Sequence, residues 1–386
     1  MIDPPTLKRM TEAVTKQVNS DGRLLDQLRK EINPICNQVH VIRPRSSTAV
    51  SFVASDGGNN RLVFDPYYFQ LVKVTDSYGK VLCLDVVSPT TDTDELSRAQ
   101  FDRSGHPITA IGKMMVDLGV DPPLLSNLSY MIPSGKEVRN NPDEVNHSWV
   151  QTYRDLCEWA VLYERIMFDT FASDTIIVRD GLLRSKVFAK NLFAKYRQNI
   201  EGKIESIYSE HKRSVYLVGL AKHTKVLDRY RLAIGLENLF PAGEPRFVRI
   251  PRELERKSYF RSEWASGEET EKDGRISRSV AGDMYLVRFG KSNHDPVWAV
   301  DILSSQNAKA QEIFGYLMND AKDGFPVPFY PRSLQRAHEH AEVVDFDMQI
   351  FQDQIYNAIR ENLPEEKRTI IDTMQFHTDL ARRRYR

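Results

Sequence analysis

Apolar residues in the first stretch of the chain recur at helical spacing. Leu7, Met10, Val14, Val18, Leu24, Leu25, Leu28 and Ile32 predict a helix over 5–35, with Asp21-Gly22 as a break between two pieces. The pattern then shifts to short β-branched runs. Ala49–Ser55 runs into Asp56-Gly57-Gly58, and FQLVKVT (69–75) and VLCLDVV (81–87) follow. The link Asp76-Ser77-Tyr78-Gly79-Lys80 has hairpin chemistry, so these runs predict an antiparallel meander. The polar stretch 88–107 reads as a surface excursion.

Helical spacing returns over 147–170, where Trp149, Tyr153, Leu156, Cys157, Ala160, Val161 and Ile166 share a stripe. The run TIIV (175–178) predicts a buried strand ending at Arg179-Asp180-Gly181. A helix over 184–210 then leads to a second buried strand, VYLVGL (215–220), which ends in Ala221-Lys222-His223. Further strands are expected at Phe247–Ile250, Met284–Phe289 and Val297–Leu303, a charged loop at 262–278, and helices near 306–322, 332–343 and 346–362. A meander followed by alternating helix and strand predicts an α/β fold: a mixed β-sheet flanked by helices, with an N-terminal helical arm and C-terminal helices.

Composition narrows the class. At 386 residues the chain has room for about two to three ordinary domains. The pattern divides it into an arm at 1–45, a main domain at 46–345 with insertions near 88–107 and 262–278, and a C-terminal extension with a basic tail at 346–386. No apolar run approaches the roughly 18 residues of a membrane span. The opening MIDPPTLKRM has no apolar signal core, so a cytoplasmic, membrane-free protein is expected. Cys36, Cys83 and Cys157 are widely spread and form no C-x-x-C pair, so neither a disulfide framework nor a zinc site is expected of them.

Several polar positions stand out against this pattern. Asp56 and Asp180 each follow an apolar run and precede glycine. One Asp-Gly pair is turn chemistry. Two of them, each ending a buried strand, bring carboxylates to one sheet edge if the strands are neighbours. Such a cluster suits hard cations, Mn2+ or Mg2+. Glu158 and Glu164, on the preceding helix, point about 120° apart, so one faces such a site and the other faces water. His338 and His340 lie about 200° apart on a regular helix and cannot ligate one ion together. His338, beside Ala337 and one turn from Leu334, sits nearer a packed face. Lys222 ends a strand as the two aspartates do, and serves either as a phosphate contact or as a solvated strand-end charge.

Basic and aromatic residues interleave at Arg184, Lys186, Phe188, Lys190, Phe193, Lys195, Tyr196 and Arg197, and the chain ends Arg382-Arg383-Arg384-Tyr385-Arg386. Lys+Arg and Asp+Glu are both 53 and cancel, so only local clusters of this kind can attract a phosphate backbone. Otherwise they are a solvated helix face and a frayed tail. Gly290-Lys291-Ser292 is no Walker A motif, because the required upstream glycine is Tyr285. No G-x-G-x-x-G follows a strand and no G-x-S-x-G occurs. Nucleotide hydrolysis and α/β-hydrolase chemistry are therefore disfavoured.

Taken in order, SFVASDGG (51–58), RDLCEWAVL (154–162), TIIVRDGLL (175–183), VYLVGLAKHTK (215–225) and FYPRSLQRAHEHA (329–341) resemble the motifs of the NurA nucleases. The resemblance implies an RNase H-like core and a Mn2+- or Mg2+-dependent DNA nuclease. It also implies a homodimer that works on DNA ends with the hexameric ATPase HerA, in repair or anti-phage defence. Matched residue by residue, it implies that Asp56, Glu158, Asp180 and His338 hold metal and that Lys222 contacts phosphate. Glu158 fits the family's Arg-x-x-x-Glu pattern better than Glu164. Leu182 departs from the pattern, which has a small residue there. The competing readings are a non-catalytic subunit that binds DNA and docks on the ATPase, and a metal-dependent phosphohydrolase of nucleotides or RNA.

Overall fold

The computed structural model describes residues 2–45, 50–64, 67–267, 277–342 and 345–368, with side chains except at 50–53, 55, 56, 58–64, 67, 263, 345, 346 and 348. Its strands are β1 (His40–Val41), β2 (Val50–Phe64), β3 (Tyr67–Asp76), β4 (Val81–Val87), β5 (Asp174–Asp180), β6 (Val215–Ala221), β7 (Arg246–Arg249), β8 (Gly282–Arg288) and β9 (Trp298–Leu303). They form one sheet in the order β1-β7-β8-β9-β6-β5-β2-β3-β4.

The run β4-β3-β2 is the expected antiparallel meander, and its tip is closed by Asp76, whose carboxylate accepts from the backbone of Tyr78 and Lys80. β5 then pairs parallel to β2, and β6 parallel to β5. The order 4-3-2-5-6, with this mixture of directions, is that of an RNase H-like core. β6 to β9 and onward to β1 extends it by antiparallel pairings. Apolar runs such as TIIV and VYLVGL suit this position, because the central strands are buried on both faces.

One helix, α1 (Pro4–Cys36), spans the whole N-terminal segment, so Asp21-Gly22 does not break it. A single glycine costs about 1 kcal/mol in a helix. Here the Gln17 amide, bonded to Asp21 at 2.9 and 3.0 Å, ties the turn across the site. Ile32 and Ile35 bury their side chains beside α8 (Lys225–Leu236), while Leu7, Met10, Val14, Val18 and Leu24 are exposed.

Between β4 and β5 lie α2 (Thr93–Arg98), α3 (Ala110–Asp117), α4 (Leu125–Leu128), α5 (Gly135–Asn140) and α6 (Trp149–Phe168). The polar stretch 88–107 is thus not a simple surface excursion. Thr93 and Ser97 are buried, the first donating to the Pro133 carbonyl at 2.7 Å and the second to the Thr93 carbonyl at 2.6 Å. Polar side chains with such partners are buried at little cost. The helix expected over 184–210 starts only at Leu192, as α7 (Leu192–His211).

Two faces follow from alternation along the strands. Ile177 and Leu217 pack with α6 and α7, whereas Ile176, Val178, Val218 and Leu220 pack with α10 (Ala310–Ala321) and α11 (Arg332–Ala341). α8 and α9 (Arg252–Ser258) cover Val248, Met284 and Leu286 farther along the first face. α12 (Asp345–Glu361) follows α11. Among the described residues no helix is long and apolar enough to cross a membrane.

Candidate active site at the end of the central strands

Alternation along β5 decides which face each of its last residues serves. Ile176 and Val178 belong to the α10/α11 face and Ile177 to the α6 face, so Asp180 and Arg179 fall on opposite sides of the sheet. Their partners agree. Asp180 Oδ1 accepts from the Tyr330 hydroxyl at 3.2 Å, just before α11, and Oδ2 lies 3.6 Å from Lys222 Nζ. Lys222 also sits 4.8 Å from the centre of the Tyr330 ring, which is fully buried. Asp180, Lys222 and Tyr330 therefore form one contact cluster.

Asp56 is placed beside this cluster by register. The last pair of the parallel ladder is Ser55 with Arg179, so Asp56 and Asp180 each stand one residue beyond it, at the same level. Its antiparallel partner is Thr75, whose hydroxyl donates to the Ala337 carbonyl at 3.1 Å. α11 thus crosses the strands at the level of Asp56, with the exposed His338 next along the helix. The side chain of Asp56 lies outside the described residues. Asp56 is not a strand end, as its pattern predicts: β2 runs on through Gly57 and Gly58 to Phe64.

Gly57 has a different purpose. A Cβ there would collide with Oε1 of Glu158, which approaches β2 from the α6 side. The glycine lets a helix carboxylate reach the strand, where the sequence had suggested room for a phosphate. Glu158 is held from both sides: Oε1 is 3.3 Å from Arg154 Nε one turn back, and Oε2 accepts from Arg179 Nη2 at 3.2 Å. The Arg179 guanidinium lies 4.3 Å from the centre of the Trp159 ring, which packs edge-on against Phe193 and Tyr196. Glu164 turns elsewhere, to Lys113 of α3 at 2.6 Å.

The donors suit a hard divalent cation in kind, being the aspartates of β2 and β5 with an imidazole on α11, and the Glu158 carboxylate that reaches the sheet from the α6 face. Glu158 carries two guanidinium partners, Arg154 and Arg179, which neutralise it without any cation. Sequence reasoning missed Tyr330 and Arg179. The alternation in TIIVRD could have placed Arg179 against α6, and Tyr330 stands in the quoted FYP run but reads there only as the approach to a helix.

The basic stretch 184–197 divides. Arg184 is not available to a phosphate backbone. Its side chain is 2% exposed, chelates Asp301 of β9 at 2.8 and 2.9 Å, and bonds Glu255 of α9 and the Ala265 carbonyl. Burial alone would lower the Arg184 guanidinium's pKa, but the charges of Asp301 and Glu255 outweigh it and raise it. The backbone before α7 bonds to other segments, Ser185 N–H donating to the Ser279 carbonyl at 2.9 Å and Ala189 N–H to the Leu128 carbonyl at 2.8 Å. Lys186 and Lys190 are exposed. Arg382, Arg383 and Arg384 lie outside the described residues.

No family model matches the sequence, and no curated protein matches it significantly. Among solved structures, the chain is similar to the crystal structure of the NurA nuclease from Sulfolobus solfataricus, at 13% identity and a TM-score of 0.43, over 95% of this chain and 99% of that one. It is similar also to a crystal structure of NurA bound to dAMP and manganese, at 12% identity and a TM-score of 0.39, over 96% of this chain and 100% of that one. A crystal structure of NurA with manganese gives 13% identity and a TM-score of 0.37, over 92% of this chain and 99% of that one.

Proposed function

We propose that this chain is a divalent-metal-dependent deoxyribonuclease that hydrolyses phosphodiesters of DNA. The observation that carries the reading is that Asp56 and Asp180 stand at one level of adjacent parallel strands on the face that α11 crosses, while Glu158 reaches β2 at the neighbouring Gly57 from the α6 face. Carboxylates placed at one level of neighbouring strands repel one another and are tolerated when a cation is shared between them. Asp56, Glu158 and Asp180 would hold Mn2+ or Mg2+, with His338 as a further ligand or a group near the scissile phosphate. The bound cation supplies Lewis-acid polarisation of the phosphodiester and a water deprotonated near neutral pH.

The chain's own residues do the rest. Tyr330 fixes the orientation of Asp180 through its hydroxyl. Lys222, one-third exposed at its side chain, can leave Asp180 for a phosphate oxygen. Arg154 and Arg179 fix the rotamer of Glu158 against the sheet. Lys186 and Lys190 offer exposed charge for the backbone of the nucleic acid. No Walker A motif occurs in the sequence, so strand delivery would come from a HerA-type hexameric ATPase, in DNA repair or anti-phage defence in the cytoplasm. The exposed apolar row of α1 suits self-association with a second copy.

One observation favours a second reading. A carboxylate already clamped by two guanidiniums needs no cation, which fits a subunit that keeps the fold, binds DNA and docks on the ATPase without cutting. The test is the full chain incubated with labelled linear DNA in Mn2+, in Mg2+ and in chelator, with and without a HerA-type ATPase. Cleavage that requires metal supports the nuclease. Binding without cleavage in every condition supports the second reading.

A further inference from the structure

Wide sequence spacing gave no reason to pair the cysteines, but the fold joins two of them. Cys83 and Asp85 lie two residues apart on β4 and so share one side of that edge strand. Tyr153 and Cys157 lie one turn apart on α6 and share a stripe facing it. The Sγ atoms of Cys83 and Cys157 and a carboxylate oxygen of Asp85 all fall within 4.8 Å of one another. Cys83 Sγ is 3.6 Å from Asp85 Oδ2, and the Tyr153 hydroxyl donates to that same oxygen at 2.7 Å.

We infer that Cys83, Cys157 and Asp85 form a binding site for a thiophilic divalent cation of the zinc class, separate from the carboxylate site at the end of β5. Ligand atoms around tetrahedral zinc stand about 3.5–3.8 Å apart, as follows from bond lengths of about 2.0–2.3 Å. The Cys83–Asp85 separation already has this value, and the other ligand atoms stand within 4.8 Å of one another. Two sulfurs select zinc over manganese or magnesium, which prefer oxygen. Tyr153 acts behind the ligands by orienting the Asp85 carboxylate. Cys157 is buried while Cys83 and Asp85 are half-buried, so the ion enters from the β4 edge and water completes its shell. The clamp joins β4 to α6 at the residue before Glu158.

The experiment uses the full-length reduced chain, stripped with chelator and titrated with Co2+ and then Zn2+. One equivalent of Co2+ should give a thiolate-to-cobalt charge-transfer band in the near ultraviolet. Zn2+ should abolish the band and excess Mn2+ should leave it. Cys83→Ser, at the half-buried position, should lose the band while keeping the wild-type circular dichroism. Tyr153→Phe should weaken zinc binding by about tenfold. Asp180→Asn should bind zinc as wild type does, so the result does not depend on the nuclease reading. No charge-transfer band in the folded wild type overturns the site. So does a band unchanged in Cys83→Ser, or a Cys83–Cys157 disulfide that forms in preference to metal capture.

Discussion

Replacing Gly57 by Ala tests whether the glycine exists to admit Glu158. In a strand interior the change should stabilise the chain by about 0.5–1 kcal/mol, because glycine loses more backbone entropy on folding. The new methyl, however, occupies the space of Glu158 Oε1. The carboxylate must swing away, which takes it from Arg154 at 3.3 Å or Arg179 at 3.2 Å. A charged hydrogen bond of this kind is worth about 1.5–3 kcal/mol, so the net expectation is a destabilisation of roughly 1–2 kcal/mol. A ligand displaced by roughly 1 Å can cost about a hundredfold in turnover. Gly202→Ala on α7 is the control: nothing lies within 4 Å of its would-be Cβ, and it should be neutral or stabilising. Thermal unfolding and Mn2+-dependent DNA cleavage are the assays. In a Glu158→Ala background the Gly57→Ala penalty should vanish, a coupling that a double-mutant cycle reads directly. Gly57→Ala with wild-type cleavage and equal or greater stability would refute the reasoning.

Other expectations follow from the same contacts. Glu158→Gln should abolish cleavage, while Glu164→Gln should leave it within severalfold and cost no more than about 1 kcal/mol, since it loses only the partly exposed pair with Lys113; the reverse ranking in a cleavage assay would move the third carboxylate to Glu164. Arg184→Met should destabilise the fold by about 3–5 kcal/mol, because it takes the guanidinium from the buried Asp301 carboxylate and leaves the buried Glu255 with Arg252, and denaturant midpoints would show it. Lys186→Ala with Lys190→Ala should weaken DNA binding and flatten its salt dependence without changing stability; an unaltered slope would remove both from the interface.

The order of elements was legible because hydrophobic period carries it: TIIV and VYLVGL could only be buried strands, and the stripe from Trp149 to Ile166 could only be a helix on a core. What failed was local punctuation. Asp56-Gly57-Gly58 has turn chemistry but stays in the ladder, since Gly57 answers to a side chain that is distant in sequence. Asp21-Gly22 failed to break α1 because Gln17, one turn back, holds the Asp21 carboxylate across the site. The stretch at 184–197 interleaves basic and aromatic residues as a solvated helix would, yet Arg184 is the centre of a buried ion network whose acids come from α9 and β9. Polar residues at 93–100 gave no sign of burial: Ser97 and Gln100 bond carbonyls one turn back in their own segment, and Thr93 depends on the Pro133 carbonyl, forty residues away. Within the site, Asp180 and Lys222 were visible as strand ends. The opposite faces of Arg179 and Asp180 were implicit in alternation, but Tyr330 could be found only once α11 was laid over the sheet.

The most direct test of the central claim measures Mn2+ binding and DNA cleavage together on wild type, Asp56→Asn and Asp180→Asn. Each substitution keeps the shape of the side chain and removes the charge that would hold a cation. The account predicts that wild type binds Mn2+ and cuts DNA only when it is present, and that both variants fold normally, lose Mn2+ affinity and cut at no measurable rate. Cleavage by wild type in chelator, or undiminished Mn2+-dependent cleavage by either variant, would contradict it.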